Sequence, residues 1–128
     1  MNAPPDPVAY VLVCDDSPLV RLTVARRLRA GGLRVVERAS ASDAMAAPLD
    51  PHPPACALLD VDLGDADGRD GIDLARALRA RHPELPVAFF TGTTTPGAEA
   101  RATALGPVFR KPDDLEAAVA WAVAHARP

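Results

Sequence analysis

The chain has 128 residues, a formal net charge of −3 and a hydrophobic content of 48%. These values are typical of one globular domain with a sizeable core, and they exclude a disordered chain and argue against nucleic acid as a direct ligand. The longest apolar runs are shorter than the ~18 residues of a membrane-spanning helix, and no signal peptide is visible, so we expect a cytoplasmic protein that does not insert into a membrane.

The first strand and helix carry clear local signals. The run AYVLVC at 9–14 is apolar throughout, as in a strand covered on both faces. Ser17 is predicted to cap the next helix, with Pro18 at its first position. Gly31 and Gly32 are predicted to end that helix.

The next segments repeat the same alternation. A strand is predicted at 33–39, and Ser42 is predicted to cap a short helix at 43–47. The third strand, 55–60, is apolar until its last residue. An acidic loop over 62–70 follows it.

The second half of the chain adds two further units. A helix is predicted over 71–81, a strand over 86–91 and a helix over 97–105. The last strand is the short PVFRK. A capping box of Asp113 with Glu116 is predicted to start a helix that runs almost to the C-terminus. Its core-facing residues are predicted to be Leu115, Val119, Ala122 and Ala126.

Alternating strands and helices predict a doubly wound, five-stranded parallel sheet with helices on both faces. We expect residues 1–7 to be a flexible tail and residues 8–128 to form the domain. Sites in such folds lie beyond the carboxyl ends of the strands. Polar side chains follow four strands at this edge: Asp15 and Asp16, Asp60, Thr91, and Lys111.

Three carboxylates at one edge predict a hard divalent cation. Neighbouring carboxylates raise each other's pKa unless a cation lies among them. Mg²⁺ prefers oxygen ligands and phosphate, whereas zinc would need histidine or thiolate ligands. A carboxylate can also be the nucleophile in phosphoryl transfer. Lys111, the only lysine in the chain, is suited to neutralise one phosphoryl oxygen as a compact charge.

From about Val8 to Ala126 the chain resembles the receiver domain of two-component response regulators. The resemblance rests on four segments in order: VLVCDDSPLVRLTVARRLRAGG, ALLDVDL, AFFTG and RKP. It implies a flavodoxin-like sheet with strand order 2-1-3-4-5.

The resemblance also implies a role for each residue at the predicted edge. Asp60 would be phosphorylated, and Thr91 and Lys111 would contact the phosphoryl group. Asp16 would bind Mg²⁺ directly and Asp15 mainly through water. Asp60 would also be a metal ligand, and the backbone carbonyl of Asp62 would complete the protein ligands.

Two positions depart from the family pattern. Gly64 replaces the proline that usually follows the acceptor by four residues, and the loop after it is longer than usual, with the usual turn at either Asp67-Gly68 or Asp70-Gly71. Val108 stands where an aromatic residue often takes part in switching.

The resemblance implies a signalling switch, not an enzyme, with at most self-catalysed phosphorylation and slow self-dephosphorylation. The phosphoryl donor would be a sensor histidine kinase or a histidine phosphotransfer protein, and the downstream effector is unknown. Switching would alter the surface of the fourth helix, fifth strand and fifth helix, through which a homodimer could also form.

Three alternatives stay open at this point. LLDVDLGD contains the Asp-x-Asp of a haloacid-dehalogenase-like phosphatase, but that interpretation leaves Asp15 and Asp16 unexplained. A flavodoxin-like nucleotide-binding module would need anion-accepting turns, and CDDSP places carboxylates there. A receiver fold that acts only as a docking module is the third.

Overall fold

The computed structural model describes residues 9–46, 53–64, 67–92 and 95–127. The predicted tail at 1–7 lies outside these ranges. Strands and helices alternate in the order β1(Tyr10–Cys14), α1(Pro18–Ala30), β2(Arg34–Arg38), α2(Ala41–Ala46), β3(Cys56–Leu59), α3(Gly71–Arg81), β4(Val87–Thr91), α4(Pro96–Thr103), β5(Val108–Arg110) and α5(Leu115–Ala126). Within the described part of the chain, no helix is both long and apolar enough to cross a membrane.

The strands form one five-stranded sheet in the order β2-β1-β3-β4-β5, and each neighbouring pair is parallel. This confirms the predicted doubly wound topology. At the carboxyl edge the backbone pairing continues one residue past the strands: the Asp60 amide donates to the Cys14 carbonyl at 2.9 Å, and the Lys111 amide to the Thr91 carbonyl at 2.9 Å. The residues that follow the strands are therefore held in register at one edge.

The sheet separates two hydrophobic cores, because side chains alternate across a strand. In β1, Leu12 faces the core formed with α2, α3 and α4, whereas Val11 and Val13 face the core formed with α1 and α5. β1, β3 and β4 are buried along their whole length. Coverage on both faces explains why these three runs are almost continuously apolar.

Helix α5 packs closely against the sheet through small side chains. Ala118, Ala122 and Ala126 are buried, while Leu115 and Val119 are partly buried at the same core. The predicted stripe is thus correct except that it omitted Ala118.

Two predicted caps are wrong, and the predicted cap of α1 is confirmed. Ser17 accepts from the Val20 amide, as expected. For α2, however, Ser40 accepts from the Asp43 amide at 3.0 Å. The helix begins at Ala41, so Ser42 already lies inside it, and its hydroxyl donates to Asp67 instead.

The predicted capping box of Asp113 with Glu116 does not form. The N-cap residue of α5 is Asp114, which makes no side-chain cap. Its carboxylate instead accepts from the Arg110 amide at 2.9 Å, and Glu116 pairs with Arg27 of α1. A hydrogen bond back to the end of β5 and an ion pair with α1 therefore replace the predicted capping box.

Candidate functional site

The carboxyl edge of the sheet brings together the side chains that the sequence places after four strands. Thr91 donates its hydroxyl hydrogen to Oδ1 of Asp60 at 2.8 Å. The ammonium of Lys111 lies 3.1 Å from Oδ2 of Asp60 and 2.8 Å from Oδ2 of Asp15. Both oxygens of Asp60 are therefore engaged, by partners 31 and 51 residues away in the chain.

Asp15, Asp16 and Asp60 form an acidic cluster in which one oxygen from each residue lies within 4.8 Å of the others. Asp15 and Asp60 are buried, at 3% and 5% exposure, whereas Asp16 is exposed. The Asp16 side chain has no hydrogen-bond or ion-pair partner among the described residues. The cluster thus combines two fixed carboxylates with one that faces solvent.

Burial and charge repulsion dominate the electrostatics of Asp60. Burial raises the pKa of its carboxyl group and the nearby Asp15 raises it further, against the opposing effects of Lys111 and Thr91. For Lys111, burial lowers the pKa, but the contacts with Asp15 and Asp60 outweigh it and the net pKa is raised. Lys111 therefore stays protonated at neutral pH and compensates only part of the negative charge.

This donor set fits a hard divalent cation. The ligand atoms are carboxylate oxygens, one of which is exposed and unpartnered, and the local excess of negative charge would be relieved by a metal ion. Burial, followed by the Asp15 charge, raises the pKa of the neighbouring Cys14 thiol to about 12. At neutral pH that thiol is protonated, and Cys14 is not a member of the acidic cluster.

Asp62 contributes to this site through its backbone. Its amide donates to Oδ1 of Asp60 at 3.2 Å. Its side chain is exposed and is not a member of the acidic cluster. The second carboxylate of the Asp-x-Asp motif, on which the phosphatase alternative depends, therefore lies apart from the cluster.

Two of the three glycines between β3 and the first turn of α3, Gly68 and Gly71, have different structural roles. A Cβ atom at Gly71 would lie 1.9 Å from the backbone oxygen of Asp60, and the Gly71 amide donates to the Val61 carbonyl. Gly71 thus permits α3 to start directly against the segment that carries Asp60. Gly68 has φ of +75° with open space around it, so of the two predicted turns Asp70-Gly71 is the one that packs at the site.

Two further residues support Asp15 and were not predicted from the sequence. The Ser17 amide donates to Oδ1 of Asp15 at 2.9 Å. The guanidinium of Arg21 donates to the backbone carbonyl of Asp15 at 2.8 Å and lies 3.5 Å from Glu37. Arg21 follows the helix cap Ser17 by about one helical turn, and this spacing could have predicted that its side chain lies near the start of α1.

The position of the usual aromatic switch is occupied by a partly buried aliphatic side chain. Val108 packs against the core formed with α2, α3 and α4, and its neighbour Phe109 packs on the opposite face of the sheet. Phe109 therefore does not substitute for the missing ring on the side that Val108 occupies.

Comparison with known proteins assigns the whole fold to one family. Residues 11–119 match the family model of the response regulator receiver domain. The chain is 36% identical over 89 residues to the transcriptional activator protein ExaE of Pseudomonas putida, an alignment that covers 68% of this chain and 40% of that protein. The chain thus spans less than half the length of this relative.

Solved structures agree with this fold. The receiver domain of NtrX from Brucella abortus superposes with a TM-score of 0.72 and 28% identity, over 89% of this chain and 98% of that one. A BeF3-activated receiver domain named DrrB superposes with a TM-score of 0.77 and 20% identity, over 92% and 97% of the two chains.

Proposed function

The chain belongs to the receiver domain family of response regulators, whose members are signalling switches, and on this basis we propose that Asp60 accepts a phosphoryl group from a phosphohistidine. The donor is a sensor histidine kinase or a histidine phosphotransfer protein. The observation that supports the proposal is that each carboxylate oxygen of Asp60 has its own partner. It is a buried carboxylate held by a hydroxyl at 2.8 Å on one oxygen and an ammonium at 3.1 Å on the other.

The proposed transfer forms an oxygen–phosphorus bond and breaks a nitrogen–phosphorus bond. A carboxylate oxygen of Asp60 attacks the phosphorus, and the electron pair of the broken bond stays on the imidazole nitrogen, which then takes a proton from water. Thr91 and Lys111 orient the nucleophile before transfer and contact phosphoryl oxygens after it. Slow attack of water on the aspartyl phosphate returns the carboxylate and releases inorganic phosphate.

Mg²⁺ is the proposed cofactor, held by Asp16 directly, by Asp15 mainly through water, by Asp60 and by the backbone carbonyl of Asp62. When bound it neutralises charge on the phosphoryl group. The three-carboxylate cluster and the raised pKa of Asp60 support this assignment.

Phosphorylation is proposed to alter the surface formed by α4, β5 and α5. Thr91 is the last residue of β4 and Lys111 comes directly after β5, so both residues lie next to this surface. Glu99 of α4 pairs with Arg110 of β5 on this surface, and it is also where a homodimer would form. The similarity to a transcriptional activator supports an output through a linked or separate effector that acts on transcription.

The proposal is tested by incubating the protein with acetyl phosphate and Mg²⁺ and measuring its intact mass. We expect a gain of one phosphoryl group, which is absent in Asp60→Asn and after chelation of the metal. Asp62→Asn is the matched control: it changes a carboxylate two residues from the acceptor but leaves the backbone, so it should be phosphorylated like the wild type.

Wild-type protein of unchanged mass would reject the phosphoacceptor function and favour the docking-only alternative. Repeated hydrolysis of a phosphomonoester by one protein molecule would instead favour a phosphatase.

A further inference from the structure

Gly64 lies next to the exposed member of the acidic cluster in an unusual backbone conformation. Its φ is +56°, a left-handed conformation that side chains other than glycine rarely adopt. Proline, the residue that the family usually has here, cannot adopt it, because its ring fixes φ near −65°. The loop of this chain therefore follows a path that requires glycine.

This path brings the backbone of Gly64 against the carboxylate of Asp16. A Cβ atom built on Gly64 would lie 3.0 Å from Oδ2 of Asp16, inside normal van der Waals separation, and no other atom of the described residues lies within 4 Å of it apart from its chain neighbours. A side chain at position 64 would therefore have one consequence in its surroundings, which is displacement of Asp16.

Asp16 would yield to such a contact easily. Its side chain is exposed, and no hydrogen bond or ion pair among the described residues holds it in place. Rotation of this carboxylate away from Gly64 would cost the fold little. It would, however, change the position of Asp16 relative to Asp15 and Asp60, whose oxygens now lie within 4.8 Å of it.

We propose that Gly64 is a positioning residue for the metal site: by leaving space beside Oδ2 of Asp16, it keeps that carboxylate aligned with the other two. The inference rests on the proposed binding of Mg²⁺ at this cluster. Position 64 thus affects metal affinity through the space beside Asp16, and this effect is separate from the left-handed backbone that requires glycine.

The test compares Gly64→Ala with Gly68→Ala. Gly68 lies in the same loop and also has a positive φ, of +75°, but a Cβ atom there meets no atom of the described part of the chain within 4 Å. Both variants should lose a similar amount of stability from the left-handed backbone. Titration calorimetry with Mg²⁺ alone should show affinity about tenfold weaker in Gly64→Ala, the effect typical of disturbing a group that orients a metal ligand, and nearly unchanged affinity in Gly68→Ala.

A double-mutant cycle with Asp16→Ala identifies the route of the effect. This substitution removes the atom that a side chain at position 64 would meet, so Gly64→Ala should weaken Mg²⁺ binding no further in that background. Equal affinities of Gly64→Ala and Gly68→Ala, or an undiminished effect without the Asp16 carboxylate, would overturn the inference.

Gly64→Asn provides a second variant if Gly64→Ala does not fold, since asparagine tolerates left-handed backbone better than alanine. It introduces the same Cβ atom and should also bind Mg²⁺ more weakly than Gly68→Asn, and equal affinities would overturn the inference. Failure of the underlying function would look different: wild-type protein would then bind no Mg²⁺ at all.

Discussion

Asp60 is held between groups that favour its ionised form and surroundings that oppose it. Thr91 and Lys111 stabilise the carboxylate, but burial and the Asp15 charge outweigh them, so the pKa is raised. The ionised carboxylate is thus maintained at some expense in stability, as is common for ionisable groups at functional sites. A bound cation would reverse this balance.

The first prediction concerns Asp60→Asn in the absence of metal. Because the pKa of Asp60 is raised on folding, the folded state holds the proton more tightly, and ionisation lowers stability as the pH rises through the folded-state pKa. The variant should therefore be more stable than wild type at neutral pH, and its advantage should shrink in acid as Asp60 becomes protonated. Urea unfolding at neutral and acid pH measures both. A wild type that is the more stable protein at neutral pH would contradict the assigned balance.

The second prediction concerns the hydroxyl of Thr91, which is buried at 1% exposure. Thr91→Val keeps the shape but removes the donor to Asp60, and should cost about 2 kcal/mol, as for a hydrogen bond to a charged group. The loss should diminish in acid, where Asp60 is protonated. Thr91→Ser keeps the donor and loses a methyl group, so its smaller loss should not depend on pH. If the stability lost in Thr91→Val did not change with pH, packing alone and not the hydrogen bond to Asp60 would explain the loss.

Helix α3 illustrates how one element constrains the site without contributing a side chain to it. Its first residue, Gly71, is buried and donates its amide to the Val61 carbonyl. Asp70 caps the helix by accepting from the Asp73 amide at 2.9 Å, and Asp73 accepts from Asp70 in return. The helix start is therefore fixed against the backbone of Asp60, so that a larger side chain at Gly71 would press on this backbone.

The third prediction is that Gly71→Ala is strongly destabilising. Its Cβ atom would lie 1.9 Å from the backbone oxygen of Asp60, which cannot rotate away as a side chain could. We expect a loss of about 3 kcal/mol, at the upper end of overpacking effects. Gly97→Ala is the control: it lies in the first turn of α4 with open space around it, and should gain up to about 1 kcal/mol from helix propensity. Similar unfolding midpoints for the two variants would refute the close approach of α3 to Asp60.

The site depends on the entire sheet. Its side chains lie at the end of β4 or directly after β1, β3 and β5, and both hydrophobic cores must be formed before these strand ends meet. The acidic cluster therefore exists only in the folded chain. A ligand that binds it must stabilise the fold by mass action.

The fourth prediction follows from this linkage. At a concentration one hundred times its dissociation constant, Mg²⁺ should raise the free energy of unfolding by about 2.7 kcal/mol, and a chelator should remove the gain. Asp16→Ala should reduce the shift, whereas Asp62→Asn should keep it, because the Asp62 side chain is outside the cluster. Thermal unfolding with and without Mg²⁺ measures the effect, and identical curves for wild type would argue against a metal site here.

The sequence patterns alone were sufficient to predict a doubly wound parallel sheet and the meeting of Asp15, Asp60, Thr91 and Lys111, whereas the strand order was implied by the resemblance to receiver domains. Strand runs buried on both faces are recognisable from their apolar residues, and parallel strands direct their carboxyl ends to one edge. Residues far apart in the chain could thus be assigned to one pocket without knowledge of any contact. The roles of these residues in catalysis and metal binding stay predictions.

Only the tertiary structure decided the local contacts. Ser40 rather than Ser42 caps α2, and Asp114 bonds to Arg110 instead of capping α5, because neighbouring elements compete for the same polar groups. It also decided that Gly64 lies against Asp16 and Gly71 against the backbone of Asp60. Periodicity fixes which element a residue belongs to and which face it occupies, but distances of a few ångströms between loops depend on how the elements pack, and no local pattern encodes them.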